Sequence, residues 1–339
     1  MQIGLFHSIQ WPEGSDQADR YEQALTQACH ADGLGFDSIW LTEHHFSRHG
    51  IVSDGLMVLA HLAGRTSHAR LGTAVTVLPL HHPLRVAEAA ATVDQLSHGR
   101  LDLGIGRGYQ PGEFGGFGVD IGEKYARFEE SLDILRLVWS ADGPVSYSGT
   151  YWSFEDAAPQ PRPYQRPHPP LWLATDSPDG LALCAAEDYG VLLPQGTSLT
   201  VAAGQMKRYA EALARAGHGP ERGRVYLARA THVAATDQQA WAEAEGPYKD
   251  FLGYADKLRR AKAAGGSPGG HSPFDLDADL RDSALFGSPD TVLAGLRAIH
   301  DLGIDRVILF VHLGGLPHEK IMSSLDLLAR EVLPVVREW

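Results

Sequence analysis

Short β-branched or apolar runs alternate with longer helical patterns along all 339 residues, and this alternation constrains the fold more than any other feature. Eight runs read as strands, at 3–6, 38–41, 71–77, 101–105, 171–175, 190–193, 225–233 and 306–311. Between them, apolar residues recur at helical spacing over 19–32, 55–65, 84–95, 124–139, 179–186, 199–216, 238–245 and 290–301, and a last helix is expected over 319–332. In the first, Tyr21, Ala24, Leu25, Ala28 and Cys29 form one buried stripe. Several strands are continuous apolar runs, as expected of a parallel sheet covered by helices. Eight strand–helix units predict a (β/α)8 barrel, an α/β TIM-barrel fold, with a doubly wound open sheet as the alternative.

Barrels reach this length as one domain, so residues 1–339 are read as a single barrel domain with insertions. Glycine-rich 106–123 and a small hairpin at 146–154 break the rhythm. So does 251–286, which carries Gly265-Gly266-Ser267-Pro268-Gly269-Gly270. The last is too long for an ordinary connection and is expected to be mobile or a lid.

Acidic residues number 42 against 29 basic ones, a net charge of −13. That balance repels phosphate backbones and anionic lipid, so no nucleic-acid or membrane partner is expected. Apolar runs such as 307–311 are too short to span a bilayer. The start Met1-Gln2-Ile3-Gly4-Leu5-Phe6 lacks a basic n-region and reads as a strand, which predicts a cytoplasmic protein. Cys29 and Cys184 offer neither a disulfide framework nor zinc spacing, and lie in helical patterns that place them in the core.

Barrel active sites lie at the C-terminal ends of the strands. After 38–41 comes Thr42-Glu43-His44-His45-Phe46, where histidines beside a carboxylate suit acid–base work near neutral pH, or pack as an ordinary loop pair. After 71–77 comes His81-His82-Pro83, in which His82 reads as a helix-entry residue. Together the two His pairs suggest a metal site only weakly, because later strand ends supply little beyond Asp176; no metal is expected. After 101–105 comes Gly106-Arg107-Gly108-Tyr109, which lets a backbone approach a ligand and places a cation for phosphate or carboxylate. The third glycine of a dinucleotide fingerprint is missing. After 171–175 comes Asp176-Ser177-Pro178-Asp179, a helix start whose N–H groups can bind an anion or serve as an ordinary cap. Arg107 and this helix start jointly favour one phosphate-bearing cofactor.

Three segments together carry a resemblance. They are Asp37-Ser38-Ile39-Trp40-Leu41-Thr42-Glu43-His44-His45-Phe46, then Leu71-Gly72-Thr73-Ala74-Val75-Thr76-Val77-Leu78-Pro79 with His82-Pro83-Leu84-Arg85, and Asp94-Gln95-Leu96-Ser97-His98-Gly99-Arg100-Leu101-Asp102-Leu103-Gly104-Ile105-Gly106-Arg107-Gly108. The chain resembles the bacterial luciferase-like flavin monooxygenases, and among them the luciferase α-chain pattern, over 1–120, again at 172–177 and at 331–334. The resemblance implies a barrel that binds reduced FMN and reacts it with O2 through a C4a-(hydro)peroxyflavin to oxygenate a small organic molecule. His44 matches the family's catalytic histidine, with Glu43 and His45 beside it. Ala74-Val75 falls at the family's non-proline cis peptide under the flavin ring. Arg107 and Ser177 fall at phosphate-contacting positions, Thr175 and Asp176 join them among the cofactor-binding residues, Gly108 and Tyr109 follow beside the ring, and Glu113 stands where the α-chain has an acidic residue near the flavin.

The departures are specific. Gly106 replaces the luciferase cysteine near the reactive face of the flavin, and Tyr125 replaces a second phosphate-binding arginine, with Arg127 as a substitute. These changes detach the chain from light emission and long-chain aldehydes. The resemblance also implies a separate NAD(P)H:flavin reductase, and a homodimer through 55–65 and 84–95. Two alternatives stand beside it. One is F420-dependent hydride transfer, for which Arg107 and Arg127 are few cations. The other is a non-catalytic flavin-binding partner, against which His44 and His45 speak.

Overall fold

The computed structural model describes residues 1–263, 280, 281 and 283–339. Its strands are β1 (Gln2–His7), β2 (Ser38–Leu41), β3 (Arg70–Thr73) continued by β4 (Thr76–Val77), β5 (Leu101–Gly106), a hairpin of β6 (Val145–Ser148) and β7 (Ser153–Ala157), β8 (Leu171–Ala174), β9 (Gly190–Leu193), β10 (Val225–Val233), β11 (Leu285–Gly287) and β12 (Arg306–Phe310). Eight of them close a parallel barrel in the order β1-β2-β3-β5-β8-β9-β10-β12 and back to β1, the seams being Gly4↔Ser38, Tyr226↔Leu192 and Gly4↔Ile308. The open-sheet alternative is excluded by that closure.

Helices α1 (Gln17–Leu34), α2 (Gly55–Ala63), α3 (Pro83–Leu96), α4 (Pro111–Gly116), α5 (Lys124–Ser140), α6 (Pro178–Ala186), α7 (Leu199–Arg215) and α8 (Asp237–Ala263) come before β11, and helix Pro289–His300 lies between β11 and β12. Local chemistry sets their ends. Asp16 caps α1 by accepting from the Ala18 and Asp19 amides, and Gly35 ends it in the left-handed conformation. Pro83 opens α3, with His82 Nδ1 accepting from the Leu84 amide at 3.3 Å. His82 is therefore the helix-entry residue its sequence suggested.

Outward-facing strand residues such as Ile3, Leu5, Ile39, Leu71, Leu103 and Leu309 pack against the helices. The barrel interior is filled by Trp40, Trp172, Leu192, Tyr226, Ala228 and Ile308. Trp40 meets Trp172 edge-on at 5.8 Å and Tyr226 at 5.0 Å. Gly72 leaves room for this plug, since a Cβ there would lie 2.2 Å from the Trp40 ring. Phe6, Ala74 and Val75 cover its upper side, so the plug is a floor beneath the C-terminal mouth.

Two sequence boundaries move. The helix expected at 238–245 runs to Ala263, through Pro247. Proline removes one N–H from the ladder, but Tyr248, Phe251 and Leu252 are buried just beyond it, and that packing carries the helix onward. The 251–286 stretch thus begins as helix and ends in β11, which pairs with Thr231–Val233. The lid expected there falls mainly on 264–279, outside the described residues. The closing helix at 319–332 is interrupted, as His318–Leu327 passes through a π-helical Leu328–Val332 into Leu333–Val336.

Candidate active site

The chain leaves β2 at Leu41 and enters a loop pinned to its neighbours. The His44 amide donates to Val52 O at 2.9 Å, and Ser8 Oγ donates to His49 O at 3.1 Å. This fixes Glu43, His44 and His45 at the mouth. Glu113 reaches them from α4, and its Oε1 lies 3.0 Å from His44 Nδ1 and accepts the His45 amide at 3.0 Å. Gln110 Nε2 also lies 3.0 Å from His44 Nδ1. One nitrogen cannot donate to Glu113 and accept from Gln110 at once. With the proton on Nδ1, Nε2 is a lone pair free for a ligand; with Nδ1 accepting from Gln110, the proton sits on Nε2. The pocket around Nδ1 thus accommodates two proton arrangements of one imidazole, as an acid–base group requires.

The second carboxylate organises a parallel set. Glu43, 4% exposed, accepts His45 Nε2–H at 3.0 Å and His81 Nε2–H at 2.8 Å on Oε1, and the Val77 amide at 3.2 Å on Oε2. Burial opposes ionisation of Glu43, but the hydrogen bonds and charges of the two histidines outweigh it and hold the carboxyl below its usual range. Burial likewise presses the His81 imidazole down, while Glu43 and the more distant Asp54 pull it above its ordinary value. Glu43, His45 and His81 are the group of residues whose ligand atoms, all within 4.8 Å of one another, could hold a metal ion. Each of its hydrogen bonds is also satisfied without one.

Across the floor, the Ala74–Val75 peptide is cis. A Cβ on Gly106 would lie 2.5 Å from Val75 Cγ2, so only glycine lets β5 come this close to that peptide. Arg107 follows, with its guanidinium over Phe128 at 4.8 Å and Tyr125 at 5.3 Å. Its Nε is buried with no hydrogen-bond partner among the described residues. Arg107 also lies near α6, whose Cys184 thiol burial pushes up to about 12 against the pull of Arg107 and Arg224. Ser177 caps α6 by accepting the Gly180 amide at 3.1 Å, and Thr175 Oγ1 lies 3.2 Å from its Oγ. Asp176 stands between them, half-buried. Arg127 is engaged elsewhere, bonded to Glu123 at 2.8 Å and lying over Tyr151. Gly108 adopts φ 70°, and Tyr109 is 42% exposed at the rim.

A family model described as luciferase-like monooxygenase matches residues 1–306. The chain belongs to that family. Over the whole chain it is 27% identical to the oxygenase component of a flavin-dependent trigonelline monooxygenase from Acinetobacter baylyi, covering 96% of that protein. The monooxygenase RslO1 from Streptomyces bottropensis superposes with a TM-score of 0.84 at 29% identity, each chain covered over 99%. The oxygenating constituent of 3,6-diketocamphane monooxygenase from Pseudomonas putida, in complex with FMN, superposes at 0.82 with 23% identity and 98% coverage of each chain. The barrel is accordingly the scaffold of a flavin-dependent monooxygenase, an oxidoreductase that incorporates oxygen.

In this luciferase-like monooxygenase, Glu113 lies against His44 and the His45 amide, tying it to the histidines first and to any ring beyond them second. Two neighbours escaped the sequence reading, and a third, His81, entered it only as one of the two His pairs weighed for a metal site. Gln110 sits in a glycine-rich stretch without periodicity. His49 comes to the site through tertiary packing alone, its ring 4.8 Å from His44 and stacked at 4.7 Å on Phe251 of α8. Phe251 also meets Phe310 at 5.1 Å, so α8 covers one side of the mouth.

Proposed function

We propose that this chain is the oxygenase of a two-component system, taking reduced FMN from a separate NAD(P)H:flavin reductase. With O2 it forms a C4a-(hydro)peroxyflavin and oxygenates a small organic substrate, an aldehyde or ketone. The observation that carries this reading is the His44–Glu113 contact at 3.0 Å, across the mouth from the Val75–Gly106 cradle. The residues fit FMN. Arg107 offers a buried, unspent Nε, and α6 offers the positive end of its dipole beside the Ser177 hydroxyl, together a receptor for a phosphate dianion. Ala74, Val75 and Gly106 would lie beneath the ring, where the cis peptide meets the close approach of β5, with Gly108 and Tyr109 beside it. When bound, the flavin supplies the reducing electrons and activates oxygen. His44 holds or releases the proton at Nε2, Glu113 fixes the ring through Nδ1, and Glu43 with His45 stiffens the loop beneath it. The relative from A. baylyi, named as an oxygenase component, supports the separate reductase.

We also propose a homodimer through α2 and α3, where Met57 is 71% and Leu96 54% exposed. Among the described residues no helix is long and apolar enough to cross a membrane, which is consistent with a cytoplasmic site.

The test is rapid mixing of protein loaded with anaerobically reduced FMN against oxygenated buffer. A long-lived peroxyflavin spectrum is expected. Immediate reoxidation, or no binding of reduced FMN, sinks the reading and moves the assignment to F420 or to a non-catalytic partner.

A further inference from the structure

His44 meets its two polar partners, Glu113 and Gln110, at Nδ1, each at 3.0 Å. Hydrogen bonds at one ring atom fix that atom but leave the ring free to tilt about it. A second ring stands where it can supply the missing restraint. His49, 6% exposed, packs edge to face against His44 with centroids 4.8 Å apart. Tyr109 is further from His44, at 6.3 Å, on the open rim.

His49 in turn has little room to retreat. Its carbonyl accepts from Ser8 Oγ at 3.1 Å, and its ring lies flat on Phe251 of α8, 4.7 Å away at 14°. Tyr254 lies near-parallel to it at 6.2 Å. Tyr254 Oη also accepts the Arg48 amide at 3.3 Å, so α8 holds two consecutive residues of the β2 loop. Phe251 is seated on Phe310 of the barrel at 5.1 Å. At Gly50 a Cβ would lie 2.8 Å from Ser8 O and 3.0 Å from His44 Cδ2, so the loop closes tightly behind the imidazole.

We infer, resting on the proposed role of His44, that His49 is a positioning residue for it, and that the stack Phe251–His49–His44 lets α8 set the tilt of the imidazole. The contact with Phe251 uses the flat face of His49, and the edge-to-face contact with His44 depends on the orientation which that stacking gives. A branched apolar side chain of similar size would fill the space but offer no such plane. An aromatic pair of this kind biases two ring orientations by up to about tenfold. Without it His44 spreads over a second tilt, and the rate falls with the fraction left in the productive one. No proton passes through His49 in this role, and no bond is made or broken there.

The test has two arms. In the first, flavin-free His49→Leu and His49→Phe are compared with the parent by crystallography and by NMR of histidine-labelled protein. In His49→Leu the His44 ring is expected in two tilts, one with Nδ1 beyond hydrogen-bond distance of Glu113, and its ring signal doubled. His49→Phe is expected to keep one tilt. An unmoved His44 in His49→Leu overturns the positioning, and so does a His44 displaced equally by Phe. Phe251→Leu removes the backing ring and should reproduce the two tilts; a single tilt there overturns the link to α8. In the second arm, protein loaded with reduced FMN releases hydrogen peroxide in air, FMNH2 plus O2 giving FMN plus H2O2. His49→Leu is expected to slow release about tenfold with FMN affinity kept within about twofold, and His49→Phe to recover the rate. In a His44→Ala background His49→Leu should cost nothing further, because its effect runs through the missing ring. An additive loss, or a loss carried by FMN affinity instead of rate, overturns the positioning. If His44→Ala itself releases peroxide at the full rate, the proposed role of His44 fails, while crystallography and NMR still decide what holds the ring.

Discussion

At the ends of β2 and β3, His44, His45 and His81 each reach a carboxylate oxygen at 3.0 Å or less. At the ends of β1 and β12, His7 and His312 pack edge to face with ring centroids 5.9 Å apart, and their neighbours are neutral side chains and the Arg20 guanidinium. Both groups lie at the catalytic end of the same barrel. On the β12 side the proton positions are fixed. His312 Nδ1–H donates to Gln27 Oε1 at 3.1 Å, so His312 Nε2 accepts from Arg20, and Gln27 Nε2–H donates on to His318 Nδ1 at 3.0 Å. One nitrogen of His312 donates and the other accepts, so only the neutral His312 ring fits. Around His44 Nδ1, by contrast, an acceptor and a donor compete. The chemistry of a strand-end histidine is thus set by its partners: in the function proposed above the first cluster moves protons, while the second holds them.

The largest test of that contrast is His44→Ala. Loss of a positioned acid–base group costs about 10²–10⁴ in rate. Product-forming turnover is expected to fall by that factor while FMN binding, followed by flavin fluorescence, is retained. Survival of turnover with flavin bound would remove His44 from the chemistry and erase the distinction between the clusters.

Next comes pH. Burial with no compensating partner lowers the His7 imidazole to about 4 from 6.5, and His312 moves the same way, with burial first and Arg20 adding to it. A group with a lowered folded pKa binds fewer protons when folded, so stability is lost as pH falls from about 6.5 towards about 4. For His7 alone the loss is about 3 kcal/mol. His81 has the opposite sign: raised in the fold, it stabilises at low pH, and that contribution disappears as pH rises through its folded value. Urea midpoints measured across pH should therefore show an acid limb that His7→Leu flattens and His81→Gln leaves in place. An unchanged acid limb in His7→Leu would show that the ring is not held neutral.

Glu113→Gln separates position from charge. The amide can still sit beside His44, but it no longer favours a proton on Nδ1. We expect about a 10²-fold loss of turnover, with the β2 loop intact by crystallography and FMN affinity changed little. A loss no larger than that of Gln110→Ala would mean that the two neighbours of Nδ1 are equivalent and that the carboxylate charge is idle.

The architecture and one half of the site were legible because periodic patterning and strand-end placement are local signals. The (β/α)8 pattern follows from apolar runs at eight places, and Glu43-His44-His45 follows directly after one of them. Glu113 was legible as a position but not as a partner of His44, since 69 residues separate them and only the meeting of β2 with α4 brings them together. His7 and His312 gave no sign of their neutrality, because a buried and a solvated histidine are the same letter. The extension of α8 past Gly246-Pro247 was illegible for a similar reason. Local propensity opposes it, and the burial of Tyr248 and Phe251 that overrides it is a property of the packed molecule.

The smallest effect probes the quiet cluster alone. Gln27 is wholly buried and bridges His312 to His318 through both ends of its amide. Gln27→Leu preserves volume but strips His312 Nδ1–H of its acceptor and His318 Nδ1 of its donor. A net hydrogen bond contributes about 1 kcal/mol, and a stranded buried donor costs about 1–3 kcal/mol. Thermal unfolding should therefore move down by a few degrees, with turnover and its pH profile unaltered, because no proton passes through Gln27. A shift in the pH profile without a shift in melting would mean that the β1–β12 histidines exchange protons during turnover. The two ends of the mouth would then be one network.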